Sequence, residues 1–323
     1  MSDNTADAGR RERLVGLAAI TVTAILWGTT GTAATFATAG PLAIGAAALG
    51  VGGLLQAAIG AGSLRRHAGL LRAHKPAVIA GGLAVALYPL AFYTSMHLAG
   101  VAVGSVVSLA SAPLASGILE RLIDRRRLSR WWAAAAALGV TGSVLLCASA
   151  MDAGAETVLS TLAGIGLGLV AGAAYAIYSW AAHRLMRRDV PRAAAMGAVF
   201  GVGGLLLMPV LLITGAPLLA SPENVSVALY MALVPMFLGY VLFGYGLTKV
   251  TASTATTVTL LEPAVATLLA VIIVGERLAL LGWIGMAILA AVLVILAAAP
   301  SAEHPGMGMG RAPLDLPRRR VLR

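Results

Sequence analysis

A chain of 323 residues with 59% hydrophobic and only 11% charged positions, and a mean hydropathy of +0.90, carries more apolar surface than a soluble domain of that size can bury. It reads as a polytopic membrane protein. A formal net charge of +10 would point to nucleic acid in a soluble chain, but the basic residues fall in short clusters between apolar runs, the pattern of cytoplasmic loops, which excludes that partner. The single cysteine, Cys147, excludes an intrachain disulfide and reads as a small buried hydrophobe.

Residues 1–13 form a polar segment read as a cytoplasmic N-terminal tail. Arg10, Arg11 and Arg13 ahead of an apolar run imitate a signal peptide, and Ala37-Thr38-Ala39 imitates its cleavage site. Because many more spans follow, the segment is read as an uncleaved first helix. Ten apolar segments run in order at about 14–34, 41–62, 77–97, 101–120, 131–150, 159–182, 193–214, 226–248, 252–274 and 279–299. Each is close to the roughly 20 residues that carry an α-helix across a bilayer. No room is left between them for a soluble domain. The segment 301–323, rich in Gly, Pro and Arg, reads as a disordered basic cytoplasmic tail.

Charge sets the expected orientation. With the N-terminus inside, the cytoplasmic side receives Arg10, Arg11, Arg13, Arg65, Arg66, Arg72, Lys75, Arg121, Arg125, Arg126, Arg127, Arg130, Arg184, Arg187, Arg188, Arg192, Lys249 and the arginines of the tail. The other side receives Arg277 alone, beside the acids Asp152, Glu156, Glu223 and Glu276. That asymmetry follows the positive-inside rule and places both termini in the cytoplasm.

The two halves of the chain repeat. Leu14-Val15-Gly16 followed by Trp27 recurs as Leu162-Ala163-Gly164 followed by Tyr175. Tyr88 and Tyr93 recur as Tyr240 and Tyr245, Pro113 as Pro263, and Arg126-Arg127-Leu128 falls where Glu276-Arg277-Leu278 falls, all at offsets between 148 and 152 residues. Five spans per half is an odd number, so the second half must be inverted in the membrane. The fold class expected is therefore an all-α polytopic membrane protein of ten transmembrane helices, built as two inverted five-helix repeats over 14–150 and 159–299.

The Trp27-Gly28 pair, the Leu261-Glu262-Pro263 segment, the Gly275-Glu276-Arg277-Leu278 hairpin and the 5+5 layout resemble the EamA-type transporters of the drug/metabolite transporter superfamily. The resemblance covers nearly the whole membrane region, from about Leu14 to Ala299. It implies a ten-helix bundle with a central cavity lined mainly by helices one, three, four, six, eight and nine, and export of small metabolites or drugs across the inner membrane. This chain departs from the family pattern in its first repeat, with Ala112 where Glu262 stands in the second and Arg126 where Glu276 stands. An asymmetric site is expected.

Glu262 is the central candidate, because a carboxylate inside an apolar span costs roughly 2.5 to 3.5 kcal/mol on insertion scales and must face protein or a water-filled cavity. It either attracts a cationic group or exchanges a proton, or it accepts hydrogen bonds from neighbouring helices and braces the bend at Pro263. Pro113 and Pro263 each remove a helical hydrogen bond and predict a kink in their helices. Tyr88 and Tyr240 offer a flat face and a hydroxyl suited to amphipathic or cationic solutes, whereas Tyr93 and Tyr245, nearer the helix ends, read as an interfacial belt. Trp27 and Tyr175 occupy matching positions and read either as anchors or as parts of a gate; Tyr178 and Trp180 read as anchors.

Ser105, Ser108 and Ser111 step every three residues along the fourth span, and Ser253, Thr256 and Thr259 along the ninth. Such hydroxyls either face a cavity or bond to their own backbone one turn back; Glu262 continues the second stripe, which favours the cavity. Gly164, Gly168 and Gly172 give the sixth span a smooth face for close helix packing. His97 and Lys249 read as solvated helix ends.

No phosphate-cradling loop, nucleophile elbow, His-Glu-x-x-His or Cys/His cluster occurs, so the chain is expected to be no enzyme, to bind no metal and no cofactor, and not to use ATP. The function expected is secondary export of a small amphipathic metabolite or drug across the inner membrane by alternating access, with the substrate gradient or protons as driving force. An uptake permease or facilitator of the same fold is the alternative within the class. An intramembrane enzyme acting on lipid is the alternative outside it, and would need more charged or nucleophilic groups than Glu262 and Glu120.

Overall fold

The computed structural model describes residues 2–34, 36–99, 101–148, 158–274 and 279–299. The described residues are helical and contain no strand. The first helix, α1, runs Ser2–Ala34, and α2 runs Pro41–Arg66. A short helix α3, Ala68–Ala73, precedes α4, Lys75–Ala99, α5, Val101–Leu122, and α6, Arg130–Ala148. The second half comprises α7, Val158–Met186, α8, Arg192–Thr214, α9, Pro222–Met231, α10, Gly239–Leu247, α11, Ala252–Val258, α12, Glu262–Leu269, and α13, Leu280–Ala298.

Nine of the described helical segments are long and apolar enough to cross a membrane, against the ten expected. The difference lies in the fifth span: its helix, α6, has 19 residues and packs along α13, and the expected segment 131–150 runs past the described residues. The hairpin at 275–278, the acids Asp152 and Glu156, the side chain of Cys147 and the tail 301–323 lie outside the described residues. The segment expected as a polar N-terminal tail is instead helical from Ser2 and continuous with the first span. It is tied to the rest of the fold by an ion pair of Glu12 with Lys249, 2.9 Å, and by the Arg13 guanidinium, which donates to the carbonyl of Ala299. Lys249, expected to end its helix in solvent, is thus half-buried and paired.

Helix association in lipid depends on close packing rather than on hydrophobic driving force, and small residues allow it. The most extensive helix pair is α2 with α8. There, a Cβ on Gly204 would stand 2.7 Å from the Gly50 carbonyl oxygen and 2.9 Å from the Leu54 nitrogen, so the two backbones are nearly in contact. The glycine stripe of α7 works the same way against α4 and α5: a Cβ on Gly164 would stand 2.5 Å from Ala99 Cβ, and one on Gly168 3.0 Å from Ser95 Oγ. The other extensive pairs are α4 with α7, α5 with α7, α6 with α13, α4 with α8, α1 with α10, α4 with α5 and α1 with α12.

Two spans are not continuous α-helices. Ser221 caps α9, its Oγ accepting from Asn224 N at 3.2 Å, with Pro222 at the first helical position. The chain then loosens into a π-helix over Ala232–Leu238, around Pro235, before α10 resumes. Proline has no N–H to give, and its ring crowds the carbonyl four residues back, so the helix widens there. In the ninth span, α11 starts from the Thr251 cap, tightens into a 3-10 turn over Thr259–Leu261, and restarts as α12 with Glu262 and Pro263 in its first turn. A second π stretch, Ala270–Val274, ends it.

Candidate functional site

The breaks in the eighth and ninth spans border one cavity. The π stretch frees backbone carbonyls at membrane depth, and such groups must find partners within the protein. Side chains from α1 and α2 supply them: Trp27 Nε1 donates to Pro235 O at 2.9 Å, Thr23 Oγ1 to Gly239 O at 3.1 Å, and Gln56 Nε2 to Phe237 O at 2.8 Å. The neighbouring Gly28 lets α12 approach α1, since a Cβ there would stand 2.6 Å from Val265 Cβ and 2.9 Å from the Glu262 carbonyl oxygen. The Trp27-Gly28 pair thus joins both breaks to the first helix.

The cavity between these elements is lined by Trp27 and Thr30 of α1, Leu49 and small residues of α2, Tyr88, Phe92 and Tyr93 of α4, Met236, Tyr240 and Glu262. Its free volume is about 20 Å³, room for roughly one water. Aromatic rings fill most of the surrounding space. Trp27 packs on Tyr240 with centroids 4.8 Å apart, and Tyr88 stacks on Phe92 at 5.4 Å and tilts against Tyr175 at 5.7 Å. Two hydroxyl pairs lock the cluster: Tyr178 with Tyr240 at 2.8 Å and Tyr175 with Thr259 at 2.7 Å. The Glu262 carboxylate, by contrast, makes no hydrogen bond or ion pair among the described residues, where the ion pairs are Arg184–Asp124 and Lys249–Glu12.

Of the residues singled out in the sequence, Trp27, Tyr88, Tyr240 and Glu262 therefore lie on one cavity wall-to-wall. Tyr175 is fully buried behind them, against Trp27 and Thr259. Most of the stripe hydroxyls bond to their own backbone, Ser108 donating to Gly104 O at 2.7 Å, Ser111 to Ser108 O at 3.2 Å and Thr256 to Ala252 O at 3.0 Å, whereas Ser253 Oγ donates to Glu120. Thr259 bonds both Thr256 O and Tyr175. Pro113 is buried within a continuous α5, and Pro263 sits in the first turn of α12. The second helix contributes to the cavity lining, whereas the fourth and sixth spans, expected there, contribute none of its lining residues.

Several lining residues carried other expectations. Tyr93 borders the cavity rather than an interfacial belt, and Phe92 and Met236 beside it gave no signal in the sequence. Tyr178 is fully buried and hydrogen-bonded to Tyr240, so the anchor reading is corrected: α7 extends to Met186 and carries the position well inside the bundle. Trp180 is also buried, donating to Asp124 at 2.8 Å with the Arg184 guanidinium over its ring and ion-paired to the same aspartate. Tyr245 instead lies beneath the Arg192 guanidinium.

At the other end of α5, Glu120 is 3% exposed and accepts from Ser253 N and Ser253 Oγ, both at 2.9 Å. This clasp joins the fourth span to the start of the ninth. Because hydrogen bonds to a charged group contribute about 1.5–3 kcal/mol each, and a stranded buried donor adds its own cost, Glu120→Ala is expected to lose about 3 kcal/mol. In detergent this should appear as a fall of roughly 6–12 °C in the thermal midpoint, with a smaller fall for Glu120→Gln. An unchanged midpoint in Glu120→Ala would show that the clasp contributes nothing.

The EamA-like transporter family matches residues 162–298 of the chain. An uncharacterized transporter of Bacillus subtilis (strain 168), YwfM, is 34% identical over 283 residues, covering 87% of this chain and 93% of the relative. An uncharacterized transporter of Clostridium kluyveri is 32% identical over 122 residues, covering 36% of this chain and 38% of its own length. A crystal structure shares the fold with a TM-score of 0.67 at 22% identity, covering 86% of this chain and 94% of that one.

Proposed function

Since the chain belongs to the EamA-type transporter family, we propose that it exports a small amphipathic organic cation across the bacterial inner membrane, exchanging it for protons at the cavity around Glu262. The observation that carries this reading is the pairing of a carboxylate that has no partner among the described residues with an aromatic box. A lone carboxylate among apolar groups at membrane depth is best neutralised by a cation or a proton. Trp27, Tyr88 and Tyr240 present ring faces that attract an organic cation to the same place. One carboxylate cannot hold both partners, so loading one displaces the other, which is the minimum requirement for exchange.

The packing supports alternating access between two inverted halves. Helix pairs fall into exchangeable sets under the 148–152-residue offset: α4 with α7 corresponds to α10 with α1, and α5 with α7 to α12 with α1. Transporters of this kind keep their sites at the repeat interface, beside discontinuous helices, and Glu262 and Met236 sit on the two broken spans. A cavity of one-water size holds no metabolite until rings move, so the described arrangement is an occluded one. Both termini on the cytoplasmic side remain the orientation that the loop arginines favour.

Counterflow tests the reading. Proteoliposomes preloaded with unlabelled solute are offered the labelled form from a panel of cationic, zwitterionic and anionic metabolites. Transient accumulation confined to solutes that carry a positive group is expected; accumulation of anions alone would overturn the proposal.

A further inference from the structure

A second cavity, of about 620 Å³, opens where α1 ends and α9 begins, facing the end of the ninth span. Thr29, Thr32, Phe36, Glu223, Tyr230 and Ile273 are among its lining residues. Its volume falls within the range of roughly 300–1,000 Å³ typical of small-molecule sites. The rim is apolar and outward-facing: Phe36 is 64% exposed, Ile272 69% and Ile273 58%. Such residues on a membrane protein meet lipid, so the cleft is reached from the side as well as from the end of the bundle.

Its polar groups lie on both helices, Thr29 and Thr32 on α1 and Glu223, Ser226 and Tyr230 on the α9 wall. Glu223, in the first turn of α9, is exposed, accepts a hydrogen bond from the Ser221 hydroxyl and forms no ion pair among the described residues. Tyr230 stands two turns further along α9, its hydroxyl 2.7 Å from Thr29 Oγ1. The loops behind this wall are held in place: Thr38 N donates to Asn224 Oδ1 at 2.9 Å, and Asn224 Nδ2 donates to Pro217 O at 2.9 Å. The Thr29–Tyr230 contact lines this cleft, and the next residue, Thr30, lines the central cavity.

We propose that this cleft is a second binding site, for a freely diffusing amphipathic organic cation whose apolar body lies against Phe36 and Ile273 and whose positive group faces Glu223 and Tyr230. Charge complementarity selects the occupant: an anion would face a carboxylate that has no cationic partner among the described residues, and a purely apolar guest would leave that charge without one. In the transport cycle, and there resting on the reading of the central cavity, it is the station between that cavity and the outer leaflet. The Thr29–Tyr230 hydrogen bond is then the contact that must part for solute to pass.

The test uses tetraphenylphosphonium binding to the full-length protein in a neutral maltoside detergent. Saturable binding is expected, with a component about tenfold weaker in Glu223→Gln and lost in Ala33→Trp, which places an indole in the cleft. Equal affinity in Glu223→Gln overturns the site, as does binding that falls in Glu262→Gln but not in Glu223→Gln. Displacement by one equivalent of phosphatidylethanolamine overturns it in favour of a lipid headgroup that presents an ammonium group. Counterflow on the same protein reconstituted in proteoliposomes reads the central cavity separately, so absent flux with Glu223-dependent binding counts against the transport reading alone.

Discussion

Glu262→Gln is expected to reduce counterflow of organic cations by about a hundredfold while leaving the protein folded. Glutamine keeps the shape and removes the charge. Among the described residues the carboxylate has no partner to lose, so the substitution strands no hydrogen-bonding group there and leaves the α1–α12 contact at Gly28 intact. A structural glutamate would behave oppositely, since removing one member of a buried network costs several kcal/mol. The loss expected, roughly 2.7 kcal/mol, is that of one desolvated charge interaction combined with the cation–π attraction that only a seated cation can use. The check pairs flux with thermal unfolding: lost flux at an unchanged midpoint assigns Glu262 to the solute. A lowered midpoint with retained flux would assign it to the bend at Pro263.

Gly204→Leu is expected to lower stability strongly. Its Cβ would meet backbone atoms of α2 at 2.7 and 2.9 Å, and backbone cannot rotate aside as a side chain can. The most extensive helix pair in the bundle would have to separate. Overpacking costs about 1–3 kcal/mol in ordinary cores and more where no rearrangement is open, so a fall of roughly 10 °C in the thermal midpoint, with loss of a single peak in size exclusion, is the outcome to look for. Gly166→Leu is the reference: nothing lies within 4 Å of a Cβ there, and its midpoint should not fall. Similar falls for both would place the effect in the loss of glycine itself and not in the α2–α8 seam.

Much of this was legible in the sequence because it follows from local chemistry. Apolar run length gave nine of the ten expected spans among the described residues, and the fourfold spacing of Gly164, Gly168 and Gly172 gave a packing face that the structure sets against α4 and α5. Other features depend on partners far along the chain. The break around Pro235 was not read from the sequence, and the donors that satisfy its carbonyls, Trp27 and Gln56, lie 208 and 181 residues from their acceptors. Three-residue spacing of Ser and Thr fits a cavity wall and a back-bonded helix equally well, and here most of the hydroxyls bond to backbone. Tyr178 was misplaced because hydropathy ends the sixth span near residue 182, whereas α7 continues to Met186. That is another turn of helix, enough to bury a ring expected at the surface.

The most direct measurement follows the internal pH of proteoliposomes bearing the wild-type protein as an organic cation is added across an imposed proton gradient. An internal pH change that needs the solute, saturates with it and disappears in Glu262→Gln is expected, because proton and cation share one carboxylate. Labelled cation crossing at full rate with no pH change would contradict that exchange.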